Sequence, residues 1–201
     1  MKPQKNVKRQ DNTEKRNKAI VIFIALVMIS STFAVVFYGF SPGTSRLEYN
    51  GFSLAKKNDF WTASINKKEA SFGYFPTDVE DINISSDVTG RIRNTLEVDA
   101  TSDINSTYKE SIAFAQYNLA QTLNYHFNIY LRQGFTSQNE YNAPVILCKN
   151  STKSVPVVYF RNSNQTRVFI ENDCIIIEFR NDYDLIRSKD RILYGLFGII
   201  R

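Results

Sequence analysis

Residues 19–40, AIVIFIALVMISSTFAVVFYGF, carry no charged side chain, and seven Lys or Arg stand in the eighteen residues before them. A helix rises about 1.5 Å per residue, so this run reaches roughly 33 Å against a bilayer core of about 30 Å. It is also longer than the apolar core of a signal peptide, about 7–15 residues. No other stretch constrains the chain as much, and it predicts one N-terminal transmembrane helix over 19–40. The remainder divides into a basic tail, 1–18, a polar linker, 41–48, and a single domain, 49–201.

The charge is one-sided. The first 18 residues carry a net +5, whereas beyond residue 40 the 18 Lys and Arg balance 18 Asp and Glu. Positive charge flanking a membrane helix stays inside. The expectation is therefore a cell-membrane protein with its N-terminus in the cytoplasm and residues 41–201 outside. The same tail charge could also meet anionic lipid or nucleic acid. A neutral main domain, however, argues against nucleic acid as a partner.

Both cysteines, Cys148 and Cys174, fall on the predicted outer side, in the apolar runs Val145–Cys148 and Cys174–Ile177. In an oxidising compartment such a pair reads as a disulfide closing a loop of about 27 residues, worth roughly 3–4 kcal/mol; two buried thiols are the alternative. Sequons at Asn83, Asn105, Asn150 and Asn164 are no more numerous than so Asn- and Ser-rich a chain yields by chance, and they mark surface loops at most.

Alternating segments after residue 49, punctuated by Asn50-Gly51, Lys56–Asp59 and Asn66–Glu69, predict an antiparallel meander ending at Pro76. Residues 78–82 and 85–92 fit no single period, and Thr95–Ala100 reads as a strand. Ile112, Ala115, Leu119, Leu123, Phe127 and Tyr130 recur every three or four residues, predicting a helix over 107–133 ended by Gly134. Strands are expected at Ala143–Cys148, Val155–Phe160 and Arg167–Phe179, the last broken at Glu171–Asp173. A closing helix over 184–198 would be capped by Asp182 or Asp184. The predicted fold class is α+β, a mostly antiparallel sheet with two helices behind the membrane helix.

Catalytic constellations are scarce. His126 is the sole histidine, and two cysteines cannot supply a zinc site by themselves. No Gly-x-Ser-x-Gly elbow or phosphate-binding glycine loop occurs, so no cofactor is expected. Ser53-x-x-Lys56 and Ser64-x-x-Lys67 lie in predicted hairpins, where i and i+3 point to opposite faces. Asp78, Glu80 and Asp81, with Asp99 and Asp103, are the carboxylates that a hydrolase could use. Aromatic residues are in surplus, 15 Phe and 11 Tyr, and Trp61, Tyr74 and Phe75 are candidates for an interaction surface as well as for the core.

The motifs Tyr49-Asn50-Gly51-Phe52, Trp61 and Phe75-Pro76-x-Asp78-Val79 recur in a known pattern. So do Cys148-x-Asn150-x-Thr152, Val155-Pro156-Val157, Cys174-Ile175-Ile176 and Lys189-Asp190-Arg191-x-Leu193-Tyr194-Gly195. On these residues the chain resembles a group of small single-pass archaeal membrane proteins of unknown function. That resemblance implies an archaeal envelope setting and supplies no catalytic or binding residues. The sequence is thus read as an anchored, non-enzymatic binding or scaffold domain of the envelope, with the bilayer and an envelope or membrane protein as partners and no small-molecule substrate. One alternative is a type IV pilin-like subunit cut near Ala19, where Lys18-Ala19-Ile20 fits a loose processing pattern. Another is a carboxylate-dependent envelope hydrolase.

Overall fold

The computed structural model describes residues 7–38 and 45–200, which fall into two compact units, one within residues 1–43 and the other within 44–201. In the first, helix α1 spans Val7–Tyr38 and so begins inside the charged tail instead of where the charges stop. Side chains are described at 16–31 and 33, where the continuous uncharged run, 19–31, covers only roughly 20 Å. Among the described residues, no helix is long and apolar enough to cross a membrane. This corrects the transmembrane helix expected over 19–40, and with it the single-pass, N-inside localisation. Residues 1–6 of the tail, 39–40 of the expected span and 41–44 of the linker lie outside the described residues.

The second unit opens with a four-stranded antiparallel meander: β1 (Arg46–Tyr49), β2 (Phe52–Lys57), β3 (Phe60–Ile65) and β4 (Lys68–Phe72). The end of the expected linker is therefore strand β1. Its turns follow from residue chemistry. Asn50-Gly51 and Asn66-Lys67 both place two consecutive residues at positive φ, as two-residue hairpins require, and Asn58 does so singly. A 3₁₀ turn at Pro76–Asp78, a two-residue strand β5 (Asn83–Ile84) and helix α2 (Asp87–Arg93) occupy the segment whose period was ambiguous.

The larger sheet has six strands in the order β5-β9-β10-β8-β6-β7, with β6 (Glu97–Ser102), β7 (Tyr130–Phe135), β8 (Val157–Asn162), β9 (Arg167–Glu171) and β10 (Cys174–Phe179). Only the β9–β10 hairpin is antiparallel; the other four pairings are parallel. The α+β class thus stands, but with two sheets and four α-helices among the described residues, in place of one mostly antiparallel sheet with two helices behind a membrane helix. Antiparallel order follows from short turns, and Asn172-Asp173 at positive φ supplies the one such turn in this sheet. Strands that pair in parallel are separated by longer stretches of chain, which cross over and return in the same direction.

Helix α3 (Lys109–Thr122) runs into a π turn, Leu123–Phe127, and stops at Asn128, whose φ of 56° is left-handed. The expected helix 107–133 is therefore shorter: Tyr130 and Gly134 belong to β7, because Tyr130–Phe135 pairs residue for residue with β6. Residues 143–148 form no strand. Val145 makes a single bridge to Phe135, and Cys148–Asn150 is a 3₁₀ turn. Helix α4 (Asp182–Phe197) is capped by Asn181, whose side chain accepts the Asp184 amide at 2.9 Å, and not by either aspartate; Gly198 at φ 72° ends it.

One core unites the elements. Leu54, Ala63, Ala70 and Phe72 of the meander, Ile112, Ala115 and Leu119 of α3, and Val98, Phe160, Ile175 and Ile177 of the large sheet belong to it, together with α4. Phe72 stacks on Tyr194 at 4.1 Å between ring centres, joining meander to helix. Behind the large sheet a second cluster, Ile146, Val157, Cys174 and Ile176, is stapled by the Cys148–Cys174 disulfide, with Cα atoms 5.2 Å apart. The disulfide expectation is met. Leu96, inside the expected strand Thr95–Ala100, is instead 79% exposed just ahead of β6.

Candidate functional site

Helix α4 is wrapped on most sides, so its charged run Arg187-Ser188-Lys189-Asp190-Arg191 is buried with its apolar residues. Buried charge is tolerated when paired and hydrogen-bonded. Asp184 accepts from Thr166 and Arg180, both at 2.7 Å. Burial raises its pKa, but these two partners outweigh that and hold it below the usual carboxylate range. Arg187 donates to the Asp78 carbonyl at 2.6 Å and pairs with Asp81 and Asp184. Lys189 meets Asp190 at 2.5 Å, and Asp190 Oδ2 accepts the Gly73 and Tyr74 amides at 2.8 and 3.0 Å. Burial pushes the Asp190 carboxyl up, while Lys189 and the two amides oppose the shift.

Arg191 is the exception. Its side chain belongs to a residue only 8% exposed, its Nε is buried without a partner, and it makes no hydrogen bond or ion pair among the described residues. Burial lowers its pKa, with Tyr49 and Glu80 acting the other way through space. Glu80 is taken by the Tyr49 hydroxyl and does not reach the guanidinium. Arg191 borders a cavity of about 390 Å³ between α2 and α4, whose rim includes Ser85, Ser86, Thr89 and Arg93. A Cβ built on Gly195 would lie 2.7 Å from the Thr89 methyl and 3.8 Å from Arg191 Nη1, so glycine there lets α2 approach and leaves the guanidinium beside the cavity. Arg93 Nη2 donates to the Gly195 and Leu196 carbonyls, fixing a second positive charge at the same mouth.

The carboxylates singled out from sequence do not form a reactive pair. Asp78 accepts the Phe75 amide at 3.2 Å, Asp81 pairs with Arg187, and Glu80 is held by Tyr49. Asp99 receives Arg132 at 2.7 and 2.8 Å on the opposite sheet, and no group of three metal-ligating side chains occurs among the described residues. Trp61 and Phe75 come together as a half-buried aromatic pair, whereas Tyr74 meets Tyr183. Trp61 lies 4.7 Å from Phe75, Tyr74 lies 4.9 Å from Tyr183, and the Tyr74 carbonyl accepts from Tyr194 Oη at 2.6 Å. His126 packs 4.9 Å from Phe197 and contacts the Glu69 carbonyl at 3.2 Å, while burial lowers its pKa. The asparagines of all four sequons are exposed.

Sequence reading missed Arg93 and Arg191. For Arg191 the signal was present: charges inside a helix flanked by Leu185-Ile186 and Ile192-Leu193 mark a helix with no free side; for Arg93, at the end of α2, there was none. No protein-family model matches the chain, and no curated protein or solved structure does. The site therefore rests on this chain's own residues.

Proposed function

We propose that the second unit is a non-catalytic binding domain that takes a small oxyanion, a phosphate, sulfate or carboxylate group, at Arg191. The observation that carries this reading is the buried, unpartnered Arg191 guanidinium beside a cavity. A guanidinium offers five donors in a fixed fork that matches such oxyanions. Left alone it costs free energy, whereas a bound oxyanion converts the same donors into charge-assisted bonds. Arg93 adds a second charge and Thr89 and Ser86 add hydroxyls, while the apolar Ile84 and Ile200 at the rim accommodate an organic body on the anion. Among the described residues the cavity lining holds hydroxyls but no carboxylate, histidine or cysteine to activate them, which favours binding over turnover.

The test compares thermal unfolding of the full chain and of Arg191→Met in phosphate, sulfate and acetate against chloride at equal ionic strength. Phosphate and sulfate also stabilise folded chains by exclusion from their surfaces, so the difference between the two proteins is the readout. Ligand at ten times its Kd should add about 1.4 kcal/mol to the native chain alone. Equal shifts in both proteins would reject the proposal.

A further inference from the structure

We propose a second ligand site, for a neutral saccharide, in the cleft between α3 and β7. The cavity measures about 610 Å³ and lies beside the carboxyl ends of the parallel strands β6 and β7, where open parallel sheets hold ligands. It is independent of Arg191: none of its lining residues borders the other cavity.

Gln116 is the decisive residue. It is 6% exposed, lines the cleft, and its Nε2 is buried without a hydrogen-bond partner. Buried amide donors are ordinarily satisfied, so this one calls for an acceptor delivered from the cleft. The polar residues buried in the cleft wall, Gln116 and Ser102, are both uncharged, whereas Lys109, Glu110 and Glu140 stay exposed at its rim. With no cation among the described residues buried beside Gln116 and with Glu110 and Glu140 at the rim, the depth favours a neutral oxygen over a carboxylate or phosphate.

The loop over the cleft is built, not loose. Asn139 Oδ1 accepts the Tyr141 and Ala143 amides, each at 3.1 Å, and its Nδ2 donates to the Ala143 carbonyl at 3.0 Å. This holds Tyr141 with its ring centre 6.2 Å from Phe135 while leaving it 67% exposed. At Gly134 a Cβ would meet the Pro144 carbonyl at 2.4 Å, so only glycine lets the returning chain lie against β7 and close that side. An exposed aromatic face backed by amides and carboxylates suits a sugar: its C–H face stacks on the ring and its hydroxyls donate to Glu110 and Glu140 while accepting from Gln116.

Saturation-transfer NMR on the full chain with cellobiose, maltose and N,N′-diacetylchitobiose tests this, alongside Gln116→Leu and Tyr141→Ala. At least one disaccharide should bind the native chain, and both variants should bind it at least about tenfold more weakly. Gln116→Leu removes an orphaned amide at little change in volume, so its melting temperature should not fall, which separates lost binding from lost folding. Absence of binding by all three sugars, unchanged binding in both variants, or binding of an N-acetylated dipeptide amide in their place would overturn the proposal.

Discussion

Asp190 Oδ2 accepts the Gly73 amide at 2.8 Å, tying the middle of α4 to the chain just beyond β4 across 117 positions of sequence. The same oxygen takes the Tyr74 amide, and Oδ1 takes Lys189. Asp190→Ala would orphan two amides and strand a buried lysine, so it should cost about 3–5 kcal/mol by denaturant unfolding. Lys189→Met in the same chain should return part of that loss, since it removes the uncompensated charge.

Acid should weaken the fold through Asp184 and Glu178. In Glu178 burial raises the pKa, but Arg167 and Arg161 outweigh it and leave the carboxyl below its ordinary value, as the partners of Asp184 do there. A carboxyl depressed by folding contributes stability above its ordinary pKa, and that contribution is lost as the pH falls through the folded value. Unfolding free energy should therefore decline below about pH 4–5, and Asp184→Asn should flatten the decline while lowering stability at neutral pH.

The disulfide spans 26 positions and staples the 3₁₀ turn at Cys148 to the start of β10. Reduction, or Cys148→Ser with Cys174→Ser, should lower stability by about 3–4 kcal/mol, read as a fall in melting temperature with reductant in the native chain alone.

Leu119 and Leu123 are fully buried in the main core. Truncating either to alanine should cost about 2–5 kcal/mol. His126→Ala, through its contacts with Phe197 and the Glu69 carbonyl, should cost about 1 kcal/mol, which calorimetry on the three variants would resolve.

Legibility in the sequence followed how local the cause was. The meander was readable because Asn50-Gly51 and Asn66-Lys67 impose hairpins within four residues, and the disulfide because two lone cysteines have few alternatives. Parallel pairing was not, since β6–β8 and β8–β10 join distant segments whose own patterns read equally well as antiparallel strands. The α3 stripe ran on into Tyr130 because a 3.6-residue period does not reveal the left-handed Asn128 that ends it. The span over 19–40 was inferred from an uncharged run alone, and the described helix begins well upstream of it. That Arg191 is buried could be read from the apolar residues flanking it in α4, but not that it and Gln116 lack partners: an orphaned donor is defined by what fails to face it across the fold.

The Arg191 Nε–H resonance of the ¹⁵N-labelled full chain, followed through a phosphate titration, tests the central claim most directly. The account predicts a saturable shift of that side-chain signal, competed by acetate and missing in Arg191→Met, while the Nε–H of Arg91, whose guanidinium already pairs with Asp173 at 3.0 Å, stays in place. A signal that does not move in millimolar phosphate, in a chain shown by its backbone spectrum to be folded, would contradict it.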